Sequence, residues 1–199
     1  MKRGPKHKLC RRLGSCVWGN PKCPSVRRPY CAGQHGNNRR RRKLSTYGEL
    51  LLEKQKLRTH YQLTEQQLRY VYKQAKAGAG ATGEKLLRYL EMRLSSVVYR
   101  SGLAPSIFAA KQAVSHRHVL VDGKIVNRGA YRVRPGQVVS INAERSPAIA
   151  EIARTSDIVP PPYLELDKEH CRVLLGREPM HEEIPAGVEI MRVIEYYAR

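Results

Sequence analysis

The first 43 residues contain 14 lysines and arginines but no aspartate or glutamate. This acid-free segment carries +14 of the formal net charge of +20, which leaves +6 for the remaining 156 residues. We do not expect it to fold on itself without an anion or a metal ion, because like charges oppose compaction and little apolar surface is available for burial. The segment is interpreted as an arm that becomes ordered against phosphate. A solvated, disordered tail is the alternative.

The excess of positive charge over the whole chain favours a polyanionic partner, either nucleic acid or an acidic membrane surface. Hydrophobic residues make up 41% of the 199 residues, enough for one domain or two small ones with a folded core. No apolar run approaches the roughly 20 residues that span a bilayer. An apolar secretory signal is also not recognisable, so we expect a protein that is neither exported nor inserted in a membrane.

Four of the five cysteines lie in the basic arm, and the fifth is Cys171. Cys10, Cys16, Cys23 and Cys31 are separated by gaps of five, six and seven residues, so the tight Cys-x-x-Cys pair of many zinc sites is missing. A four-cysteine zinc site and free thiols both remain open. Zinc would suit an arm with so little apolar core, since the metal itself supplies folding energy. Disulfides are less expected, because nothing indicates export.

Apolar periodicity predicts helices at residues 47–60, 64–77, 84–100 and 106–115. Ser45 is a good N-cap for the first of them, and glycines end the second. Tight-turned strands follow at residues 119–121, 124–126 and 138–141, with Asp122-Gly123 as a hairpin turn. A helix at 146–156, a hairpin from 163–167 and 171–175, and a helix at 188–197 complete an α+β chain.

Motifs of catalysis are missing from the sequence. It contains no Gly-rich nucleotide loop, His-Glu-x-x-His helix or Gly-x-Ser-x-Gly elbow. The Glu182-Glu183 pair is expected to be solvated on a loop. We find no set of nucleophile, base and orienting residue, so the expected activity is binding.

Short motifs spread over about 135 residues give the chain a resemblance to a known family. The sequence resembles bacterial-type small-subunit ribosomal proteins of the S-four family, the family after which the S-four RNA-binding domain is named. The motifs that carry this resemblance are Gly4-Pro5-Lys6, Cys10-Arg11-Arg12, Arg27-Arg28-Pro29-Tyr30, Gly33-Gln34-His35-Gly36, Tyr47-Gly48, 53–58, Val97-Val98-Tyr99-Arg100 and Val133-Arg134-Pro135-Gly136.

The resemblance implies an α+β fold in three parts. Residues 1–44 would form the basic, cysteine-containing N-terminal extension. Residues 45–90 would form an all-helical domain completed by residues 177–199. Residues 91–176 would form the inserted S-four domain, with a small antiparallel sheet, packed helices and the late hairpin.

The implied function is that of a structural, non-enzymatic constituent of the small ribosomal subunit. Members of this family bind small-subunit ribosomal RNA early in assembly and lie beside proteins S-three and S-five, where messenger RNA enters. Some repress translation of their own messenger. We expect a bacterial, cytoplasmic location rather than an organelle, with neither membrane association nor homo-oligomerisation. The alternatives are an RNA-modifying enzyme of the pseudouridine synthase type that carries an S-four domain, and a free ribosome-associated RNA-binding factor.

Cations of the arm, of the first helix and of the helix-to-strand corner are the predicted RNA ligands. By the resemblance, Arg39–Arg42 face incoming messenger, whereas Lys111, His116 and His118 form the corner that meets RNA. The full predicted set is Arg11, Arg12, Arg27, Arg28, Gln34, His35, Arg39, Arg40, Arg41, Arg42, Lys43, Lys54, Lys56, Arg58, Lys111, His116, Arg117, His118 and Arg128. Deleting residues 1–43 is expected to weaken RNA binding, flatten its salt dependence and leave the remainder folded.

The chain departs from the family pattern at several positions. Ser106-Ile107 replaces the usual Ser-Arg at the start of the short helix, and Arg117 replaces the glycine of His-Gly-His. A positive φ at that position would strain Arg117. Cys10 and Cys23 match family positions, whereas Cys16 and Cys31 are offset.

Overall fold

The computed structural model describes residues 5–20, 22–36 and 44–199, and it divides the chain into two compact units. The first unit is Met1–Glu65 with Ala186–Arg199, and the second is Gln66–Pro185. The three-part domain division remains a prediction, since these units are defined by compactness alone. None of the helices in the described part of the chain is long and apolar enough to cross a membrane.

Helices build the first unit. Ser45 caps the longest of them, because its hydroxyl accepts the backbone N–H of Gly48 at 3.2 Å, as the sequence predicted. The buried Leu50 and Leu57 of this helix belong to the same unit as Ile190 and Val193 of the last helix, which packs against it. The helices are α1 (Lys6–Leu13), α2 (Pro24–Arg27), α3 (Thr46–His60) and α9 (Ile190–Ala198).

A five-stranded antiparallel sheet with helices packed against it makes up most of the second unit. The strand order is β2-β1-β3-β5-β4, so the late hairpin joins the earlier strands through pairing of β3 with β5. The helices are α4 (Glu65–Ala77), α5 (Thr82–Glu91), α6 (Leu94–Arg100), α7 (Ile107–Ser115) and α8 (Pro147–Arg154). The strands are β1 (Val119–Val121), β2 (Lys124–Ile125), β3 (Val138–Ile141), β4 (Leu164–Asp167) and β5 (Arg172–Leu175).

One core unites the sheet with the helices around it. Val119, Val139 and Val173 of three neighbouring strands are fully buried, together with Leu94 and Val114 of the helices. Their alternation with more exposed residues along each strand is the pattern of a sheet with one covered face. The predicted α+β class is confirmed.

The single helix predicted for residues 84–100 is wrong. Arg93 adopts an extended conformation (φ −68°, ψ 137°) and pairs as an isolated β-bridge with Arg132, which separates α5 from α6. Backbone hydrogen bonds secure this break on both sides: the N–H of Leu94 donates to the Tyr131 carbonyl and the N–H of Val133 donates to the Met92 carbonyl, each at 2.8 Å. Apolar periodicity runs through the break because both helices bury the same core.

Candidate nucleic-acid interface

The helix-to-strand corner of the second unit is formed where α7 ends and β1 begins. Ser106 caps α7, accepting the Ala109 N–H at 3.2 Å, and Ala110 and Val114 anchor the helix in the core. Because these anchors face inward, the chain emerges at His116 and Arg117, whose side chains are exposed. Lys111 is half-buried on the same helix. Thus the predicted corner is a local, sequence-contiguous cluster of basic groups.

Arg117 has the left-handed backbone (φ +64°) that its place at the helix end demands. Its N–H donates to the Val114 carbonyl at 3.1 Å, and the N–H of His118 donates to the Ala113 carbonyl at 3.0 Å. This pair of bonds is the usual ending of a helix by a left-handed residue, a position that favours glycine. Arg117 therefore has the expected backbone strain, and its exposed side chain places a cation on the surface.

His118 is held inward more firmly than its neighbours. Its Nδ1 contacts the Ser146 hydroxyl, and its carbonyl accepts the Asn142 N–H at 2.9 Å. Burial lowers the pKa of the His118 imidazole, and the nearby His116 and Arg145 lower it further. We infer that His118 positions the corner, whereas Arg117 contributes its charge.

Exposed cations are also displayed by the arm. Arg12, Arg27 and Arg28 are exposed, as are the polar Gln34 and His35. Arg11 instead turns inward, stacking over the Tyr30 ring at 4.6 Å and donating to the carbonyls of Tyr30 and Cys31, each at 3.0 Å. It therefore ties the two ends of the arm's folded part together. The predicted residues Arg39, Arg40, Arg41, Arg42 and Lys43 lie outside the described residues.

The predicted RNA ligands of α3 are already paired with acids. Lys54 is only 5% exposed and donates to Glu65 at 3.1 Å. Lys56 bonds to Glu53 at 2.6 Å, and Arg58 lies 3.7 Å from Glu65. In each ion pair the glutamate competes with any phosphate for the cation, so the structure places these three cations in contacts within the first unit itself. Arg128, in the second unit, is exposed.

A cluster of metal-binding side chains joins α1 to the start of α2. The ligand atoms of His7, Cys10 and Cys23 all lie within 4.8 Å of one another. Cys16 is close enough to interact with the thiols of both Cys10 and Cys23. Cys31 is exposed and does not belong to this group. The structure therefore brings together three of the four predicted cysteines and adds a histidine.

The two buried thiols of this cluster titrate in opposite directions. Burial raises the pKa of Cys10 to about 12, and the neighbouring charge of Cys23 adds to that rise. Burial also acts to raise the pKa of Cys23, but hydrogen bonds from Ser25 and His7 outweigh it and lower that pKa to about 6. The Ser25 hydroxyl donates to the Cys23 sulfur at 3.2 Å. A thiolate beside an imidazole is the donor chemistry that zinc prefers.

Two family models match adjoining parts of the chain. The "Ribosomal protein S4/S9 N-terminal domain" matches residues 1–91, and the "S4 domain" matches residues 92–139. A relative from Ruegeria pomeroyi named small ribosomal subunit protein uS4 is 44% identical over 98% of this chain and 96% of its own length. The chain belongs to the uS4 family. Relatives with the same name from Paracoccus denitrificans (44% identical over 98% of this chain and 96% of their own) and Beutenbergia cavernae (45% over 87% and 86%) agree.

Membership of the uS4 family gives the departures at α7 a structural meaning. Ile107, at the position where the resemblance leads us to expect arginine, is only 3% exposed and therefore buried. This position thus carries no cation, and its side chain contributes buried apolar surface instead. Arg117 adds a charge directly after the C-cap residue at the other end of the helix.

Sequence reasoning missed two features of this uS4-family chain. The first is His7, although its His-x-x-Cys spacing with Cys10 places both ligands on adjacent turns of one helix face. The second is the pairing of Arg93 with Arg132, two arginines 39 positions apart that no local pattern connects.

Proposed function

We propose that this chain is a structural constituent of the small ribosomal subunit that binds small-subunit ribosomal RNA in the bacterial cytoplasm. The observation that carries the proposal is 44% identity over 98% of the chain to a protein named small ribosomal subunit protein uS4. The basic surface supports it independently, because exposed cations on the arm and at the α7–β1 corner suit phosphate groups. The comparisons do not favour the alternative of an RNA-modifying enzyme.

Affinity would come mainly from release of counterions as lysines and arginines neutralise phosphates. The helical parts of folded RNA present shape and backbone rather than readable base edges, so rigid elements that display cations suit their recognition. Both units provide such elements. The acid-free arm contributes Arg12, Arg27 and Arg28, and the corner contributes His116 and Arg117.

Sedimentation of bacterial lysate that contains a tagged copy of the chain tests this proposal. We expect the chain to migrate with the small subunit and to remain there through moderate salt washes. A tagged Arg117→Gln variant should need less salt for release, because one phosphate contact is lost. Absence of the wild-type chain from the small-subunit fraction would refute the proposal.

The finer role follows from the resemblance. We propose that the chain binds ribosomal RNA directly and early in assembly, lies beside proteins S-three and S-five, lines the channel where messenger RNA enters, and represses its own messenger. Direct binding is tested with purified small-subunit RNA free of other proteins. A requirement for a previously bound protein would contradict early assembly. Crosslinking from Arg39–Lys43 to messenger RNA tests the place in the channel.

We also propose that His7, Cys10, Cys16 and Cys23 hold a zinc ion. The donor set fits, since one imidazole and three thiols are the ligands of a closed structural zinc site. Bound zinc would supply folding energy where the arm has little apolar core, with only Cys10, Leu13 and Cys23 as its buried hydrophobic residues among those described. Free thiols are the competing state.

Metal analysis of the purified chain decides between them. One zinc per chain is expected for the wild type, and His7→Ala, Cys10→Ser and Cys16→Ser should lose it. Cys31→Ser and Cys171→Ser are matched controls that should retain the metal. Loss of zinc from Cys31→Ser with retention in His7→Ala would restore the four-cysteine set, and absence of zinc from the wild type would favour free thiols.

A further inference from the structure

A small cavity in the second unit is lined by two arginines that belong to no predicted RNA-binding set. It has a volume of about 100 Å³ and lies where the break between α5 and α6 meets the segment before β3. Arg93 and Arg132 line it together with Tyr70 and Gln74 of α4 and Tyr89 of α5. The β-bridge between the two arginines fixes their backbones side by side.

Arg93 is the more deeply buried of the pair. Its side chain belongs to a residue only 6% exposed, and its Nε has no hydrogen-bond partner among the described residues. Burial lowers the pKa of the Arg93 guanidinium, and the positive charge of Arg132 lowers it further. A buried, charged donor without an acceptor is costly, so such a group is expected to bind an acceptor that enters the cavity.

Arg132 is oriented by neutral groups rather than by an acid. One of its terminal nitrogens donates to the Gln74 side-chain oxygen at 2.7 Å, and its guanidinium stacks over the Tyr89 ring at 3.8 Å. No ion pair between described residues involves Arg93 or Arg132. By contrast, Arg100 of the same unit bonds to Glu91 at 2.8 Å and Arg88 to Glu178 at 2.7 Å.

The geometry therefore holds two positive charges together without a counter-anion. An anion between them would remove their repulsion and bring an acceptor to the buried Arg93 guanidinium, which are two separate gains. Planar guanidinium groups match the oxygens of phosphate and carboxylate, and two of them side by side suit a group that carries several oxygens. A volume of about 100 Å³ is well below the roughly 300 Å³ at which small-molecule sites begin, so one phosphate group fits better than a nucleotide cofactor.

The rim of the cavity favours a phosphate that belongs to RNA. Tyr70 is 62% exposed, and the Gln74 amide donates to its hydroxyl at 2.9 Å, which steadies the ring beside the cavity. An exposed aromatic face next to a phosphate site is a stacking surface for a base.

We propose that Arg93 and Arg132 form a recessed site for a single backbone phosphate of ribosomal RNA, with Tyr70 offering its ring to the neighbouring nucleotide. This inference rests on the proposed RNA-binding function. It adds a contact away from the exposed corner, one in which the protein half is preorganised: the β-bridge, Gln74 and Tyr89 hold the arginines in place before RNA arrives.

The chemistry of the cavity is tested without RNA. In the full-length chain, the Nε–H signal of Arg93 is followed by NMR as inorganic phosphate is added at constant ionic strength, with chloride as the reference salt. We expect a saturable shift with phosphate, its loss in Arg132→Gln, and its retention in Arg154→Gln, a control that removes an exposed arginine of the same unit. A response to phosphate no larger than that to chloride would overturn the proposal.

Binding of purified small-subunit ribosomal RNA tests the source of the phosphate. Arg132→Gln should reduce the slope of log affinity against log salt by about one, whereas Arg154→Gln should leave it unchanged. Arg93→Lys keeps the charge and removes the planar fork, so it should weaken binding even when the fold is intact by circular dichroism. Equal slopes for wild type and Arg132→Gln would overturn the RNA assignment. Failure of the wild type to bind RNA would refute the proposed function instead, and the phosphate titration would still report on the cavity.

Discussion

Arg117 combines a backbone cost with a surface charge in one residue. A left-handed conformation costs a non-glycine residue about 1–2 kcal/mol. Glycine avoids this cost, but it loses more conformational entropy on folding, and that loss cancels part of the advantage. The residue is exposed, so little packing offsets that cost. The chain therefore trades stability for a cation at the α7–β1 corner.

Replacing Arg117 by glycine should separate the two effects. We expect Arg117→Gly to raise the free energy of unfolding by about 0.5–1 kcal/mol in urea denaturation, since the strain is relieved. RNA affinity should fall, because the cation is lost. The neighbouring His116 has an ordinary φ of −86°, so His116→Gly should destabilise the chain. Equal effects of the two substitutions on stability would contradict strain at Arg117.

The pair of Glu91 with Arg100 gives a second prediction at this scale. The Glu91 side chain is fully buried, Arg100 is bonded to it at 2.8 Å, and the Tyr163 hydroxyl donates to it at 3.3 Å. Arg100→Met should lower the free energy of unfolding by about 3–5 kcal/mol, because a buried carboxylate is left without its counter-charge.

The more exposed pair of Arg88 with Glu178 is the matched control, and urea denaturation is again the measurement. Arg88→Met should cost less than about 1 kcal/mol, since solvent screens that pair. A double variant that replaces both Glu91 and Arg100 by methionine should recover much of the loss. If Arg100→Met costs no more than Arg88→Met, burial of the charge is not what makes the first pair important.

At the scale of elements, the hairpin of β4 and β5 carries a pH-dependent contact. Asp167 accepts the backbone N–H of His170 at 3.2 Å, the His170 ring at 2.8 Å and the Nε of Arg172 at 3.0 Å. The backbone N–H of His170 is the largest cause that holds the pKa of Asp167 below its ordinary value of 3.8. A carboxylate whose pKa is lowered in the folded state stabilises the fold when the pH is above its ordinary pKa. That stabilisation is lost as the pH falls through the pKa of the folded state.

Thermal unfolding across pH should detect this contact. Asp167→Asn is expected to lower the Tm near neutral pH, and the gap to wild type should narrow as the pH falls below about 4, where the wild-type carboxylate takes up its proton. Glu165→Gln on the same strand removes a similar charge outside this hydrogen-bonded group and should show no such narrowing. A gap that does not change with pH would rule out ionisation of Asp167 as its cause.

Elements set by local signals could be predicted from sequence, and those set by distant partners could not. The Ser45 cap and the core anchors of α7 are local signals, so the predicted bounds of α3 and α7 lie within one residue of the observed bounds. The break at Arg93 involves pairing with Arg132, 39 positions away, and His7 and Cys10 of α1 belong to a cluster that the more distant Cys23 completes. The same limit applies to the site: exposure of Arg117 followed from its neighbours, but burial of Lys54 depends on Glu65 and on Tyr196, over whose ring its Nζ lies at 4.2 Å.

At the scale of the whole molecule, the arm is part of the first unit rather than an appendage. Leu13 is buried, the Trp18 indole N–H donates to the Thr59 carbonyl at 3.3 Å, and the His60 ring donates to the Val17 carbonyl at 2.9 Å. Folding of the remainder without residues 1–43 stays a prediction, and these contacts indicate that the remainder would be less stable. The arm therefore contributes packing as well as charge.

Deleting residues 1–43 should weaken RNA binding and flatten its salt dependence. It should also lower the stability of the first unit. A triple variant with Arg12, Arg27 and Arg28 changed to glutamine should reduce the salt slope alone, since these side chains are exposed. Salt-dependent filter binding and urea denaturation measure the two effects. Unchanged stability after the deletion would show that the contacts of Leu13, Trp18 and Val17 are dispensable.

The packing of α9 on α3 has a consequence for the order of events during synthesis. The first unit contains Met1–Glu65, which leave the translating ribosome before Gln66–Pro185, yet it is completed by Ala186–Arg199, which follow all of Gln66–Pro185. At typical bacterial elongation rates, α3 then waits on the order of ten seconds for its partner helix. During that interval the face of α3 that packs against α9 lacks its cover, so the nascent chain offers a chaperone a defined segment and a defined time in which to protect it.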